Sequence, residues 1–332
     1  MTKQFFWFSV LVCIVSCTSK KSVEVIPLKV GVTAFVGEVA TFIAQEKGYF
    51  ADEGLDVSIK INNSGVESLK QLLEGDLDLA HTSESPFLYA LLDSNFHHSM
   101  PDSEIQILAN MVLSNRIQKI ISRKKLGILE PKDLEGKKIG LVKNSQSDYH
   151  FDSFLLENDM NISDMTVLDY SPELQKAGLK SGEIDAVVVW EPHGTHLLEM
   201  MPDDSYEMQT SLTYSTLWLA LSLRSLEEQK PGASTRYLRS LLRAHEYIYE
   251  NPEEVIALTV ETTRIPESVI RKVREEIDFH LSLSERMIML LEWQQLWLEK
   301  RGIKQTSAIR INDYINYKPM EEVAPNAISV IR

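Results

Sequence analysis

Short hydrophobic runs alternate along most of this chain with segments whose apolar residues recur at helical spacing. Residues 28–34 (LKVGVTA) have the composition of a buried strand, and a helical apolar face follows up to Lys47. The alternation continues through predicted strands at 56–61, 77–82 and 105–113 and predicted helices at 66–74 and 86–92. Strands that alternate with helices at this spacing predict an α/β fold with mostly parallel sheets.

The same rhythm restarts after Lys119 and then changes in the last third. The second unit has predicted strands at 137–142, 166–170 and 185–189 and predicted helices from Ser147 and at 172–180. After the apolar run 216–223 the chain is largely helical, at 235–249, 253–260, 267–277 and 284–300, and these helices are expected to pack back on the first unit. The prediction is therefore two lobes, residues 28–114 plus 224–332 and residues 115–223, joined by two crossings that form a hinge.

Two stretches of the chain repeat one phrase. LLEGDLDLAHTSESP (72–86) and GLKSGEIDAVVVWEP (178–192) both run glycine, acid, aliphatic, aspartate and then a hydrophobic strand. The phrases align Gly75 with Gly182, Asp78 with Asp185 and Glu84 with Glu191, and eleven residues before each glycine stands a serine, Ser64 or Ser171, suited to cap a helix. The repeat predicts two similar halves. It places the glycines in structural turns and the aspartates early in their strands, away from a ligand.

The N-terminus indicates export. Lys3 precedes an apolar run, 5–16, that is too short for a finished transmembrane helix and is typical of a signal peptide. The run ends in Ser16 and Cys17, and small residues before a cysteine resemble the bacterial lipobox, in which the cysteine carries lipid and becomes the mature N-terminus. We therefore predict a signal peptide at 1–16, lipidation of Cys17 and a polar tether at 17–27. An ordinary signal peptide or a signal anchor is the alternative.

Composition and charge narrow the classes of partner. The chain has 44% hydrophobic and 25% charged residues and a formal net charge of −14, which disfavours nucleic acid as a partner. The only cysteines are Cys13, inside the predicted signal peptide, and Cys17, so the mature body offers no disulfide, zinc thiolate site or cysteine nucleophile. No later segment is apolar for long enough to span a membrane. We expect a monomer without a cofactor.

Several phrases together resemble a known family. EKGYFADEGLDV (46–57), LKQLLEGDLDLA (69–80), DLEGKKIGL (133–141), LKSGEIDAVVVWEP (179–192) and NPEEVIAL (251–258) are similar to segments of solute-binding proteins of the nitrate, sulfonate, taurine and thiamine-pyrimidine (NMT1/THI5-like) group of ABC transporters. The resemblance covers about residues 28–320, nearly all of the chain beyond the predicted tether. It implies a type II periplasmic-binding-protein-like clamp that captures a solute outside the cytoplasmic membrane and delivers it to a permease with its ATPase subunits.

Positions at strand ends and helix starts give the candidate ligand-binding residues. In open α/β sheets, ligands bind at the carboxyl ends of the strands, beside helix N-termini. The residues placed there are Thr33, Phe35, Gly37, Ser83, Glu84 and Ser85 on the first lobe and Asn144, Ser145, Ser147, Asp148, Trp190 and Glu191 on the second. Ser145 and Ser147 are equally suited to cap a helix, and Trp190 is equally suited to a core.

The two glutamates lead to an expectation about the ligand. Carboxylates in a cleft oppose a bare anion, so Glu84 and Glu191 favour a donor-rich or cationic nitrogen compound, such as an amine or an aminopyrimidine. Phe35 and Trp190 could stack on such a ring. A taurine-like or sulfonate-like solute stays open. So does a role for either acid in a salt bridge between the lobes or at a solvated rim.

Three other functions compete with solute delivery. An enzyme of the thiamine-pyrimidine branch is disfavoured, because the cysteine-rich CCCFC motif that those enzymes share is absent and an export signal is present. A metal site could use His81, His150, His193 and His196 beside Glu191, although strand alternation directs His81 away from the cleft. Signalling to a membrane sensor is a third role that the residues do not separate from transport. His97 and His98 are expected in a solvated loop.

Overall fold

The computed structural model of the chain describes residues 25–93, 96, 104–210, 215–303 and 309–331. The predicted signal peptide, Cys17, His97 and His98 lie outside these residues. The strands are β1 (Ile26–Thr33), β2 (Leu55–Asn62), β3 (Leu79–Ser83), β4 (Ile105–Ser114), β5 (Gln118–Arg123), β6 (Lys138–Leu141), β7 (Thr166–Asp169), β8 (Ala186–Trp190), β9 (Ser205–Glu207), β10 (Thr216–Leu223), β11 (Asp278–Ser284) and β12 (Ile328–Ser329).

The helices lie between these strands and dominate the C-terminal third. They are α1 (Val39–Glu46), α2 (Tyr49–Asp52), α3 (Gly65–Leu73), α4 (Glu84–Leu92), α5 (Gln146–Glu157), α6 (Pro172–Ser181), α7 (His193–Met200), α8 (Leu226–Gln229), α9 (Ala233–Glu250), α10 (Pro252–Thr263), α11 (Glu267–Arg274), α12 (Glu285–Lys300) and α13 (Tyr317–Val323). None of the helices in the described ranges has the length and apolar character that a bilayer crossing requires.

Two separate sheets define two lobes. Lobe I is built on a seven-stranded sheet of order β12-β11-β4-β10-β3-β1-β2, and lobe II on a five-stranded sheet of order β7-β6-β8-β5-β9. The α/β class is confirmed, but both sheets are mixed rather than mostly parallel. In lobe I, β10 runs antiparallel to β3 and β4, and in lobe II, β5 runs antiparallel to β8 and β9. The strands next to the two crossings thus supply the antiparallel pairs.

The second crossing lies earlier in the chain than its predicted place. The sequence boundary assigned residues up to 223 to lobe II, yet β10 is the central strand of the lobe I sheet. All eight residues of β10 are buried, because neighbouring strands flank it on both edges and other elements cover both faces of the sheet. The chain therefore returns to lobe I between β9 and β10.

Each lobe has its own core. The lobe I core includes Phe87, Tyr237 and Leu291, contributed by α4, α9 and α12, which confirms that the C-terminal helices pack back on the first lobe. Lobe II has one apolar cluster around Phe151 and Phe154 of α5 and another around Leu179 and Ile184. Helices on both sides of the lobe II sheet thus hold the strand ends, and the helix starts beside them, in fixed positions.

The last third contains elements that the sequence pattern did not predict. Strand β11 extends the lobe I sheet and lies between the helices predicted at 267–277 and 284–300, where no element was expected. Helix α7 and strand β9 in lobe II were likewise missed. Each is short, and its apolar period covers too few residues to distinguish strand from helix.

The repeated phrase has a structural counterpart. Ser64 and Ser171 both cap a helix through their side chains, and Gly75 and Gly182 both take left-handed backbone angles, φ 82° and 81°, where those helices end. Asp78 accepts a hydrogen bond from the Lys29 amide at 2.8 Å. In the second lobe, Asp185 accepts from the Lys138 amide at 2.9 Å in the same way. The aspartates therefore join neighbouring parallel strands and stay away from the interlobe space, as predicted.

Candidate ligand-binding site between the lobes

A cavity lies between the lobes, beside the crossing from lobe I to lobe II. It has an empty volume of about 410 Å³, part of which is open to solvent. Residues of both lobes line it: Thr33, Phe35, Ser64, Gly65, Val66, Ser83, Pro86, Ile117, Gln118, Ser145, Gln146, Trp190, Thr216 and Trp218. Not one of these lining residues carries a charged side chain. Recognition in this cavity must therefore rest on hydrogen bonds and aromatic contact.

Helix α3 directs its N-terminus at the cavity from lobe I. Ser64 caps the helix, with its Oγ accepting the Glu67 amide at 3.3 Å, and the next two amides, of Gly65 and Val66, precede the first intrahelical acceptors. Gly65 brings the helix close to β3, because a Cβ at this position would lie 2.3 Å from Oγ1 of Thr82. The helix start can therefore donate to a ligand atom without an intervening side chain.

Helix α5 supplies the matching N-terminus from lobe II. Ser145 caps it by accepting the Ser147 amide at 3.1 Å and donates its own hydroxyl to the Val142 carbonyl at 2.6 Å. Gln146 is the first residue of the helix and lies at the cavity wall with 2% of its surface exposed. Two helix N-termini, one from each lobe, therefore meet at the cavity and favour groups that accept hydrogen bonds.

Aromatic side chains form the walls of the cavity. The Phe35 and Trp218 rings lie 4.9 Å apart at 58°, and Trp190 contributes a half-buried ring from lobe II. The Phe35 ring occupies the space where Gly37 would carry a Cβ, at 2.3 Å, so Gly37 supports the wall without lining the cavity. These rings can hold the flat or aliphatic body of a small solute.

A buried polar chain fixes Trp218 from behind. Its indole Nε1 donates to Oε2 of Glu38 at 3.1 Å, and the other oxygen of Glu38 binds Nδ1 of His81. Nε2 of His81 lies 3.1 Å from the Tyr237 hydroxyl. His81 is therefore a satisfied core residue, which confirms the orientation expected from strand alternation.

Several buried polar atoms at the cavity have no partner among the described residues. They include Oγ1 of Thr33 and both amide atoms of the Gln146 side chain. Leaving a buried polar atom unsatisfied costs about 1–3 kcal/mol. Atoms of this kind at a cavity wall are what a ligand would satisfy.

An open groove leads from the cavity to the surface. It has an empty volume of about 1070 Å³ and shares Ser64 and Val66 with the cavity. Its other walls are Asn63, Glu67, Lys70, Gln71 and Glu74 of lobe I and Val142, Lys143, Asn144, Asp169 and Ser171 of lobe II. The groove carries charges of both signs.

The sequence located part of this site. Of the predicted residues, the cavity is lined by Thr33, Phe35, Ser83, Ser145 and Trp190. Asn144 lies in the outer groove, at φ 58°. Ser147 turns away and donates to Oε1 of Gln118 at 2.8 Å. Ser85 donates to Oε1 of Gln294 at 2.6 Å inside lobe I.

Glu84 does not line the cavity. Its Oε2 accepts the Leu217 amide of β10 at 2.9 Å, and its Oε1 accepts Nε2 of Gln294 in α12 at 2.9 Å. The side chain is fully buried. Both oxygens accept hydrogen bonds within lobe I, and the side chain is not among those that line the cavity.

Glu191 is likewise held inside its own lobe. Its oxygens accept the amide and the hydroxyl of Thr195 at 2.9 and 2.7 Å, and Nζ of Lys119 lies 3.3 Å away. Burial raises the pKa of Glu191 against the opposing effect of Lys119. Glu84 and Glu191 thus neither line the cavity nor form a salt bridge between the lobes. The argument for a cationic ligand depended on these two carboxylates, and the structure does not support it.

Asp148 connects the lobes instead of binding solute. Its carboxylate accepts the Tyr89 hydroxyl of lobe I at 3.1 Å and the Asn144 amide at 3.3 Å, and Nη1 of Arg301 lies 3.4 Å away. Burial and the nearby Asp148 charge raise the pKa of Tyr89, which keeps its hydroxyl protonated as a donor. Asp148 is therefore a candidate for stabilising contact between the lobes.

Other wall residues escaped prediction. Trp218 and Thr216 belong to β10, which was assigned to the wrong lobe, and Gln118 lies at the start of β5, where the interlobe crossing ends. Ser64 had a recognisable signal, since it stands at a predicted helix start. Gln146 lies in the stretch 144–148 between a predicted strand and helix, which the sequence placed at the cleft.

The metal alternative finds no geometric support. Among the residues that the structure describes, no group of three or more His, Cys, Asp or Glu side chains is placed to hold an ion. His193 is buried in lobe II against Trp190, with ring centroids 6.1 Å apart, and burial lowers its pKa to about 3. The histidines around Glu191 are thus not arranged as ligands.

Two lobes, two mixed sheets and an interlobe cavity define a periplasmic-binding-protein fold. The alkanesulfonate-binding protein SsuA from Xanthomonas axonopodis pv. citri, bound to MOPS, shares this fold with a TM-score of 0.73 at 17% identity, over 88% of this chain and 99% of that one. The periplasmic nitrate-binding protein NrtA from Synechocystis PCC 6803 does so with a TM-score of 0.74 at 17% identity, over 91% and 89%.

The sequence comparison gives the family. A "Putative aliphatic sulfonates-binding protein" of Bacillus subtilis (strain 168) is 24% identical over 238 residues, which cover 70% of this chain and 68% of that protein. The profile of the family described as NMT1/THI5 like matches residues 38–255. The chain belongs to the NMT1/THI5-like family, as its phrases indicated.

Proposed function

We propose that this protein is an extracytoplasmic solute-binding protein that encloses a small organic solute between its lobes and delivers it to an ABC permease. The observation that carries the proposal is the interlobe cavity, to which each lobe contributes a helix N-terminus and unpartnered polar atoms. A solute that contacts both lobes stabilises their closed arrangement by its differential affinity. Binding without catalysis is sufficient for this role.

The preferred ligand class has a head group that accepts several hydrogen bonds, as a sulfonate does. The starts of α3 and α5 offer amides, and Thr33, Ser64 and Ser83 offer hydroxyls at the wall, whereas the Ser145 hydroxyl already donates to the Val142 carbonyl. With no Lys or Arg among the lining residues, the head group would be held by hydrogen bonds alone. The sulfonate-binding relatives and fold neighbours support this choice.

An aminopyrimidine is the second ligand class. The aromatic walls of Phe35, Trp190 and Trp218 suit a flat ring, and the Gln146 amide can both donate to and accept from a heterocycle. This class needs no carboxylate partner when the ring is neutral. An aminopyrimidine is still a nitrogen compound, as the sequence led us to expect, but it is neutral rather than cationic.

The ligand class can be tested before the solute is identified. Native mass spectrometry of the protein as purified would detect a retained ligand, and a thermal-shift screen of alkanesulfonates, taurine, nitrate, amines and aminopyrimidines would rank candidates. We expect an alkanesulfonate or an aminopyrimidine to raise the Tm, and Thr33→Val to reduce that rise because it removes the unpartnered hydroxyl. A screen in which only amine cations raise the Tm would contradict the proposal.

Lipid anchoring through Cys17 belongs to the proposal and rests on the sequence of the first seventeen residues. We expect the mature protein to partition into the detergent phase of Triton X-114, and Cys17→Ser to move it to the aqueous phase.

Delivery is distinguished from signalling by solute uptake in a strain that lacks the protein. Normal uptake with a lost transcriptional response would indicate a sensor.

A further inference from the structure

One face of α5 carries buried polar side chains beside the interlobe cavity. Gln146 and His150 lie one helical turn apart and are 2% and 6% exposed. They line a second cavity, with an empty volume of about 280 Å³, together with Asn115, Ile117, Gln118, Thr210 and Thr216. The two cavities share Ile117, Gln118, Gln146 and Thr216. The two cavities are therefore adjacent, and Gln146 lies in the wall of both.

The polar atoms on this face are unsatisfied. Nε2 and Oε1 of Gln146 and Nε2 of His150 have no hydrogen-bond partner among the residues that the structure describes. The nearest polar side chains are engaged elsewhere, since Ser147 donates to Oε1 of Gln118 at 2.8 Å. Each such atom costs about 1–3 kcal/mol if nothing binds it. Three on adjacent turns of one helix mark a place for a polar guest.

The Gln146 and His150 side chains make this face of α5 polar, and neither of them carries a charge. Burial lowers the pKa of His150 to about 4, so the imidazole is neutral at physiological pH and has one donor and one acceptor nitrogen. Gln146 likewise offers an NH₂ donor and a carbonyl acceptor. No Asp, Glu, Lys or Arg lines either cavity in the described part of the chain. The matching guest is a neutral group that both donates and accepts, such as a hydroxyl or a primary amide.

We propose that Gln146 and His150 form a distal subsite that binds a neutral hydroxyl or amide group at the end of the solute opposite its head group. This inference rests on the proposed function and makes it narrower. The start of α3 takes the head group, the aromatic walls take the body, and the Gln146 and His150 side chains of α5 take the far end. The preferred solutes are thus hydroxyalkyl or carboxamidoalkyl compounds rather than plain alkyl ones.

The test compares ligand pairs that differ by one hydroxyl. Calorimetric titration with 2-hydroxyethanesulfonate and ethanesulfonate should show the hydroxylated member binding roughly tenfold tighter, the value of one good hydrogen bond. The pair 4-amino-5-hydroxymethyl-2-methylpyrimidine and 4-amino-2,5-dimethylpyrimidine tests the second ligand class in the same way. Gln146→Leu should remove most of the preference, so that the ratio of the two affinities within a pair falls towards one. Equal affinities within a pair that binds would overturn the subsite.

Stability of the solute-free protein gives a second readout. Because its amide is unpartnered, Gln146→Leu should leave the free energy of unfolding unchanged or raised. Gln294→Leu is the matched control: this glutamine is also buried, but it binds Ser85 and Glu84, so its loss should be destabilising. If no member of either pair binds, the proposed ligand classes fail, and the stability comparison alone decides the subsite. Destabilisation by Gln146→Leu comparable to that of Gln294→Leu would then overturn it.

Discussion

At the scale of single residues, Glu84 joins three elements of lobe I. It begins α4, accepts the Leu217 amide of β10 and accepts Nε2 of Gln294 in α12. Glu84→Gln would place an NH₂ group against one of these donors, so we expect the free energy of unfolding to fall by about 1–3 kcal/mol in urea titrations. Solute affinity should stay the same.

The matched control for Glu84→Gln is an exposed glutamate. Glu246 lies on the solvent face of α9, so Glu246→Gln should change the free energy of unfolding by less than about 0.5 kcal/mol. A stable Glu84→Gln variant with greatly weakened solute binding would show instead that Glu84 acts on the ligand.

At the scale of elements, the close approach of α3 to β3 depends on Gly65. A Cβ at this position would lie 2.8 Å from the Cα of Thr82, a backbone atom that cannot turn aside. Gly65→Ala should therefore push the start of α3 away from β3, lower stability by about 1–3 kcal/mol and weaken solute binding. Calorimetric titration together with thermal melts would measure both effects.

Gly178→Ala is the control for this helix-start effect. Gly178 lies within α6 of lobe II, where a Cβ would meet only side-chain atoms, at 3.2 Å or more. We expect at most a small change in stability and unchanged solute affinity. Equal losses of affinity for the two variants would contradict a special role of the α3 start.

Helices α12 and α5 make the contact between lobes that we expect to stabilise closure. Nε1 of Trp297 donates to Oδ2 of Asp152 at 2.6 Å, and the Trp297 ring packs edge-on against Tyr149 at 4.9 Å. Arg301 stacks over Trp297 at 4.9 Å and also reaches Asp148. Contacts of this kind favour the closed arrangement only if opening breaks them.

Trp297→Phe tests that contact. It keeps the ring but removes a hydrogen bond to a charged group, which contributes about 1.5–3 kcal/mol. We expect the apparent solute affinity to fall roughly tenfold or more, and the solute-free protein to have a larger radius of gyration in small-angle scattering. Trp293→Phe, on the same helix and 58% exposed, should change neither quantity. Unaltered affinity in Trp297→Phe would show that the contact is indifferent to closure.

At the scale of elements, the spacing of apolar residues predicted most of the helices and strands, but not all of them. The alternation of strands and helices in residues 28–192 was predicted largely correctly, because each segment carries a complete apolar period. Strand β11 was missed because its seven residues follow α11 after only a short connection. Strand β10 was recognised as an apolar run, but its lobe depends on pairing with β3 and β4, which the run itself does not encode.

At the scale of the whole molecule, buried histidines make stability depend on pH. Burial lowers the pKa of His150 to about 4 and those of His193 and His245 to about 3. Below pH of about 6.5 the unfolded chain takes up protons that the folded chain does not, so stability is lost as the pH falls towards 4. Each histidine contributes up to about 1.4 kcal/mol per pH unit. Glu191, whose pKa burial raises, opposes this by at most the same amount.

Urea unfolding at pH 8, 6.5 and 5.5 would measure this dependence. His245→Phe should reduce the loss of stability between pH 8 and pH 5.5 by about 1.4 kcal/mol in total, because it removes one buried imidazole and keeps a ring against Phe279. Identical slopes for wild type and variant would show that His245 does not titrate on unfolding.

The sequence by itself determined the local features of the structure, such as helix caps and turns. The helix caps at Ser64, Ser145 and Ser171 and the turns at Gly75 and Gly182 depend on atoms a few residues apart, so the pattern predicted them. The repeated phrases also indicated the α/β class and the family. For the same reason the strand ends led to Thr33, Phe35, Ser83, Ser145 and Trp190 at the cavity.

The tertiary structure alone decided which side chains face the ligand. Glu84 and Glu191 occupy equivalent places in the repeat, but Glu84 binds an amide 133 residues away while Glu191 pairs with Lys119 and Thr195. Trp218 reaches the cavity only because β10 enters the lobe I sheet. Partners so distant along the chain are set by sheet order and lobe packing, and no local pattern carries that information.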